Sequence, residues 1–196
     1  MPATIYLIRH GETEWSRTGQ HTGLSDIPLT PFGEEEALAV GKQLRGLAFD
    51  AVLSSPRQRA RRTSEIAGLN RSAEVEPLLR EWDYGDFEGL RSSEILQAHP
   101  GWNIYQDGCP NGESPSQIIA RADAMVARLR ILKGKIAIFS HGHFLRILAV
   151  RWIGLPVDVA QRFLIGTASL SILGYEHERV EKPVIVLWNA QSAKLA

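Results

Sequence analysis

Three short apolar runs in this 196-residue chain end alike, and they constrain its fold more than any other feature. Thr4–Arg9 (TIYLIR) leads into His10-Gly11-Glu12, and Ala51–Ser54 (AVLS) leads into Ser55-Pro56-Arg57-Gln58-Arg59. Lys135–Ser140 (KIAIFS) leads into His141-Gly142-His143. Each run is short, apolar on both faces and rich in β-branched residues, the pattern of a strand covered on both sides. Helical patterns lie between them. Thr30-Pro31 offers an N-cap and a first-turn proline, with Glu34, Glu35 and Glu36 in the early turns, and predicts a helix to about Leu44 that stops near Gly46. Pro56 opens a predicted helix through Ala67, ended by Gly68, and Ser92–His99 forms another, stopped by Pro100-Gly101. Ser114-Pro115-Ser116-Gln117 fits a capping box for a helix to Leu132, and Phe144–Ile153 supplies one more. Val75–Leu79, Thr167–Tyr175 and Val184–Trp188 read as further strands. Residues 11–29 and 100–113 read as long loops, which in compact domains usually carry function.

Strands alternating with helices imply right-handed crossovers. The expected fold is a three-layer α/β/α sandwich with a mostly parallel central sheet. No repeat, low-complexity tract or linker divides the chain, so residues 1–196 read as one domain. Lys and Arg total 22 against 22 Asp and Glu, for a formal net charge of +0. Such a balance lacks the basic excess of a nucleic-acid binder, and 44% hydrophobic content is too high for a disordered chain. Cys109 is the only cysteine, which excludes an intrachain disulfide framework and a Cys-based zinc cluster. Neither a signal-peptide pattern nor a run of roughly 18 apolar residues is present, so a soluble, cytoplasmic protein is expected, without a membrane partner.

Ligands of open α/β sheets bind beyond the carboxyl ends of the strands. Arg9, His10, Arg59 and His141 then share one edge, although 141 − 9 = 132 positions separate the outermost two. Two imidazoles with two guanidiniums form a cationic pocket suited to a phosphoryl group, since arginine's planar fork binds phosphate oxygens bidentately. A neutral imidazole can attack phosphorus and form phosphohistidine, while a second, if protonated, can stabilise charge on the equatorial oxygens. Such a site needs no metal and no cofactor.

Leu7-Ile8-Arg9-His10-Gly11-Glu12-Thr13-Glu14-Trp15 resembles the signature of the histidine phosphatase superfamily, which includes the cofactor-dependent phosphoglycerate mutases. The likeness continues through the segment Thr22–Thr30, through Ser54–Thr63, through Leu79-Arg80-Glu81-Trp82-Asp83-Tyr84-Gly85, and through Ser140-His141-Gly142. Carried over by position, it implies His10 as nucleophile, Arg9, Arg59 and His141 as the phosphate pocket, and Glu81 as general acid and base. A carboxyl group beside a dianionic phosphate holds a proton more readily, which suits that role. A nucleophilic His10 needs one nitrogen unprotonated, so its other nitrogen is expected to donate to a backbone carbonyl.

Hydrolysis and mutase chemistry differ in whether water reaches the phosphohistidine. Only 141 − 81 = 60 positions separate Glu81 from His141, and position 16 is Ser16 where the mutases commonly carry Asn; both favour hydrolysis. Within the family, Trp15-Ser16, Gln20–Leu24, Arg80–Gly85, Trp102–Cys109 and His141–Arg146 resemble the fungal sedoheptulose-1,7-bisphosphatase group. That group implies a sugar-phosphate pocket built from Ser16, His21, Thr22, Gly23, Trp82, Asp83, Tyr84, His143 and Arg146, with Arg146 anchoring a second phosphate or acidic group. The chain lacks that group's insertion toward the C-terminus and has His21 where the group has Tyr. His143 reads equally as a helix-start residue or a pocket wall, and Trp102 and Tyr105 equally as core cover or ligand contacts. The expected partner is a small phosphorylated molecule, not nucleic acid, and a homodimer is compatible with the reading. The alternatives are a phosphoglycerate mutase and a non-catalytic phospho-ligand binding module.

Overall fold

Side chains alternate across a strand, so β1 (Thr4–Arg9) sends Ile5 and Leu7 to one face and Tyr6 and Ile8 to the other. Each set meets its own hydrophobic cluster. Ile5 and Leu7 join Leu53, Ile136, Ile138 and Leu173; Ile8 joins Val52, Ala137, Phe139 and Leu170. The computed structural model describes residues 2–69 and 73–191; residue 1, residues 70–72 and residues 192–196 of the span read as one domain lie outside the described residues.

The strands β1, β2 (Ala51–Ser54), β3 (Ala73–Val75), β4 (Lys135–Ser140), β5 (Leu170–Tyr175) and β6 (Pro183–Ala190) form one sheet in the order β3-β2-β4-β1-β5-β6. Pairing is parallel from β3 to β1, whereas β5 runs antiparallel to both β1 and β6. The helices are α1 (Glu14–Thr18), α2 (Pro31–Gln43), α3 (Gln58–Ile66), α4 (Ser92–Ala98), α5 (Ile104–Asp107), α6 (Pro115–Ile131) and α7 (Gly142–Trp152). Val40 of α2 and Ala60 of α3 cover one face of the sheet. Ile118, Met125 and Leu129 of α6 and Phe144, Leu148 and Trp152 of α7 cover the other. This is the expected mostly parallel α/β/α sandwich. Fully burying one such Leu, Ile or Phe is worth roughly 1.5–3 kcal/mol, so the two clusters hold the layers together. Among the described residues no helix is long and apolar enough to cross a membrane.

Local chemistry explains where the observed elements depart from expectation. The first long loop contains α1, because the Thr13 side chain accepts from Ser16 N, Ser16 Oγ accepts from Thr13 N, and Gly19 closes the turn at φ 81°. The second contains α5, capped by Asn103, whose side chain accepts from Tyr105 N. Helix α3 begins at Gln58 and not Pro56, since Arg57 keeps an extended ψ of 136°. The strand expected over Val75–Leu79 ends at Val75: Pro77 cannot donate to a ladder, and Glu76 caps a 3-10 turn over Pro77–Leu79. Strand β5 starts at Leu170 and not Thr167, because Ala168 takes φ 44° and donates its N–H to the carbonyl of His10.

Candidate active site

Sheet register builds the centre of the site. Arg9 lies opposite Ser140, and Ser54 opposite Phe139, so β1, β4 and β2 end side by side. The next residues continue the pairing: His10 N donates to Ser140 O (3.0 Å) and Ser55 N to Phe139 O (2.9 Å). His10 and His141 therefore face one another with ring centroids 5.2 Å apart.

His10 is only 4% exposed. Its Nδ1 lies 2.7 Å from the carbonyl of Gly11; a carbonyl only accepts, so Nδ1 carries the hydrogen and Nε2 keeps its lone pair. Burial, then the charges of Arg59 and Arg9, holds the imidazole well below the usual histidine range and so neutral. Gly11 is fixed in turn: its N–H donates to Thr63 Oγ1 at 3.0 Å, and a Cβ there would collide with the Gly33 carbonyl.

His141 is fully buried, and burial followed by Arg59 likewise holds it well below its usual range. Arg59 Nε donates to its Nδ1 at 3.1 Å, which leaves the proton on Nε2, 2.7 Å from Ser55 Oγ. The protonated imidazole considered at this position is thus corrected to a neutral one, and the positive charge of the site comes from arginine. Arg59 itself is fully buried and also donates to the carbonyls of Ser25, Thr22 and Gly23, pinning the segment 22–25. Arg9 donates through one terminal nitrogen to Ile165 O at 2.7 Å, while its buried Nε has no partner among the described residues. An unpaired buried guanidinium donor is costly unless an acceptor reaches it.

Glu81, 6% exposed, lies across the N-terminus of α7. Oε1 accepts from Trp82 N (3.0 Å) and Phe144 N (2.9 Å), and Oε2 accepts from His143 N (3.0 Å). The N–H groups of His143 and Phe144 are free donors in the first turn of α7, and they orient the carboxyl group.

A cavity of about 330 Å³ opens on these groups and is lined by Arg9, His10, Ser16, His21, Thr22, Glu81, Tyr84, His143 and Arg146, together with Gly19, Gln20, Ser92, Gly142 and Ile165. One wall is aromatic: His21 stacks on Tyr84 (4.6 Å), and Tyr84 Oη lies 2.7 Å from His143 Nδ1. Burial pushes His21 down to about 4 and holds His143 well below its usual range. A larger hollow of about 670 Å³ lies elsewhere, between α2, α3 and β3 (Glu34, Arg62, Val75), and none of these groups lines it.

Several expected contacts fall outside the cavity. Arg59 and His141 are fully buried and do not line it, although the His141 ring faces His10, which does. Trp82 is fully buried with its indole N–H donating to Glu113 O at 2.9 Å; it is core, not a substrate contact. Asp83 turns its carboxylate to the N–H of Gly85 (3.0 Å). Gly23 is needed for close approach: its N–H meets the Glu88 carboxylate, and a Cβ would strike the Trp82 carbonyl. Cys109 is a buried thiol, pushed up to about 12 by burial.

Sequence reasoning missed Glu113 and Arg121, which form a buried ion pair behind Glu81 (2.6 Å). The signal was present: Arg121 falls on the stripe Ile118, Ala122, Met125, the buried face of α6. Among the described residues no group of three or more His, Cys, Asp or Glu side chains could hold a metal ion.

The sequence pattern of the histidine phosphatase superfamily (branch 1) matches residues 5–191. An acid phosphatase of Mycobacterium tuberculosis is 44% identical over 177 residues, covering 88% of this chain and 87% of that one. Sedoheptulose 1,7-bisphosphatase of Saccharomyces cerevisiae is 32% identical, covering 92% and 90%. A solved structure of an open reading frame from Mycobacterium tuberculosis superposes with a TM-score of 0.90 at 39% identity, covering 97% of this chain and 98% of that one.

Proposed function

This chain belongs to the histidine phosphatase superfamily, and from that premise we propose that it hydrolyses small phosphate monoesters through phosphohistidine at His10. The observation that carries the reading is the Nδ1–H of His10 bonded to the Gly11 carbonyl, which leaves a neutral Nε2 lone pair in the cavity that Arg9 and Glu81 also line. Nε2 attacks phosphorus in line; the N–P bond forms as the ester O–P bond breaks, and Glu81 gives its proton to the departing alkoxide. The Nε–H of Arg9, which has no partner among the described residues, meets the charge on the equatorial oxygens. Water then attacks the phosphohistidine while the Glu81 carboxylate takes its proton, releasing inorganic phosphate and restoring His10.

The favoured substrates are phosphorylated sugars. The stacked pair His21 and Tyr84 offers ring faces, and His143 and Ser92 offer groups for hydroxyls. Arg146 spends its Nε on Ala160 O, and its terminal nitrogens suit a second phosphate or acidic group. The relatives named acid phosphatase and sedoheptulose 1,7-bisphosphatase support both parts of this reading.

Rapid quenching during turnover of labelled 4-nitrophenyl phosphate tests it. Wild type is expected to carry an acid-labile, base-stable phosphoryl label, and His10→Ala to carry none and to lose turnover. A labelled, active His10→Ala would overturn the mechanism.

A further inference from the structure

Glu81 owes its place to groups that never touch the cavity. The Arg121 guanidinium, 6% exposed, donates to the carbonyls of Leu78 (2.9 Å), Arg80 (2.6 Å) and Glu81 (3.1 Å), and so grips the backbone segment that delivers the carboxylate. Its carbon also sits 4.5 Å above the Phe144 ring, and Phe144 N is one of the donors that hold Glu81 Oε1. One planar cation thereby fixes both the residue bearing the carboxylate and a residue that orients it.

Glu113 completes the clamp. It takes Arg121 Nε on Oε1 (2.9 Å) and Arg121 Nη2 on Oε2 (2.6 Å). Arg80 shares Oε1 (3.1 Å), Asp83 N donates to Oε2 (3.0 Å), and the Trp82 indole donates to the Glu113 carbonyl. Every residue from Arg80 to Asp83 is thus tied to the pair. A folding role alone does not require both the carbonyl of Glu81 and a donor of its carboxylate to be served by the same side chain.

We infer that Arg121 and Glu113 are positioning residues that hold the Glu81 carboxyl in line with the departing oxygen of the substrate. The inference rests on the proposed role of Glu81 as proton donor. Lysine at 121 keeps the charge but, lacking the fork, cannot serve three carbonyls and a carboxylate at once. A displacement near 1 Å at a reacting group is enough to cost about 100-fold.

Leaving-group dependence separates positioning from folding, because kcat/KM reports events only up to departure of the alcohol. An aryl phosphate such as 4-nitrophenyl phosphate leaves without needing a proton, whereas the alkoxide of glycerol 2-phosphate needs one. For Arg121→Lys and Glu113→Gln we expect kcat/KM on glycerol 2-phosphate to fall about 10- to 100-fold, with less than about a threefold loss on the aryl ester. Equal losses on the two esters, or no loss on either, would overturn the inference; so would failure of both variants to fold, since the pair would then be structural. Glu81→Gln is the reference. If it shows no selective loss, the reading of Glu81 fails; if it does and the two variants do not, only the positioning role fails.

Discussion

Arg59 donates its Nε–H to Nδ1 of His141 across 3.1 Å, so the charge of one fixes the tautomer of the other. The same guanidinium holds the carbonyls of Thr22, Gly23 and Ser25, which makes Arg59 the link between the second imidazole and the segment 22–25 beside the cavity.

Arg59→Lys is expected to reduce kcat/KM for 4-nitrophenyl phosphate by about 100-fold or more. An ammonium cannot reach His141 and three carbonyls together, and misplacement of reacting groups costs on that order. Steady-state rates on correctly folded variant, verified by near-ultraviolet circular dichroism, decide the matter; a rate within threefold of wild type would show that the link is dispensable.

Acid should destabilise the fold well before carboxylates titrate. His21 is pushed down to about 4, chiefly by burial, while His10, His141 and His143 are held lower than usual for the same reason. Between pH 6.5 and pH 4 the unfolded chain binds a proton at His21 that the folded chain does not. Folding stability from this residue is therefore complete above pH 6.5 and falls with falling pH, by at most about 1.4 kcal/mol per pH unit. Thermal melts in phosphate-free buffer should show Tm dropping from pH 7 to pH 5, with a shallower drop in His21→Asn. Equal slopes would mean that His21 is not buried neutral.

Trp82→Phe should cost stability without changing substrate affinity. The change removes part of a fully buried ring and orphans the Glu113 carbonyl, together about 1–3 kcal/mol. Denaturant melts and KM on one substrate suffice, and a KM raised tenfold with unchanged stability would return Trp82 to the substrate pocket.

Arg146→Ala should discriminate among substrates. Loss of a charge-assisted contact, worth about 1.5–3 kcal/mol, should raise KM for a sugar bisphosphate by roughly 10-fold or more and leave the aryl monoester within about twofold. Parallel shifts for both would place Arg146 outside any second-anion contact.

Much of this molecule is legible in one dimension because strands and caps are local. Thr4–Arg9, Ala51–Ser54 and Lys135–Ser140 form as read, since short apolar β-branched runs admit little else, and Thr30 and Ser114 cap the helices that follow them. Capping also explains the main local miss, as the Thr13–Ser16 pair builds a helix inside a segment whose composition reads as loop. Arg9, His10 and Glu81 stand in motifs that the sequence displays, and they line one cavity because parallel pairing brings strand ends together.

What the chain order could not supply is which side of the backbone each side chain takes once the layers close. Trp82 adjoins Glu81 in sequence, yet packing against Tyr105 of α5 and a bond to the Glu113 carbonyl turn its ring into the core. Arg121 stands 40 positions from Glu81 and touches its carbonyl, because α6 crosses the segment 78–81. His141 is neutral not by its own chemistry but because it is fully buried and a buried guanidinium donates to it. Residue types and periodicity fix what each segment can become; desolvation and long-range hydrogen bonding, which exist only after folding, decide what each functional group is.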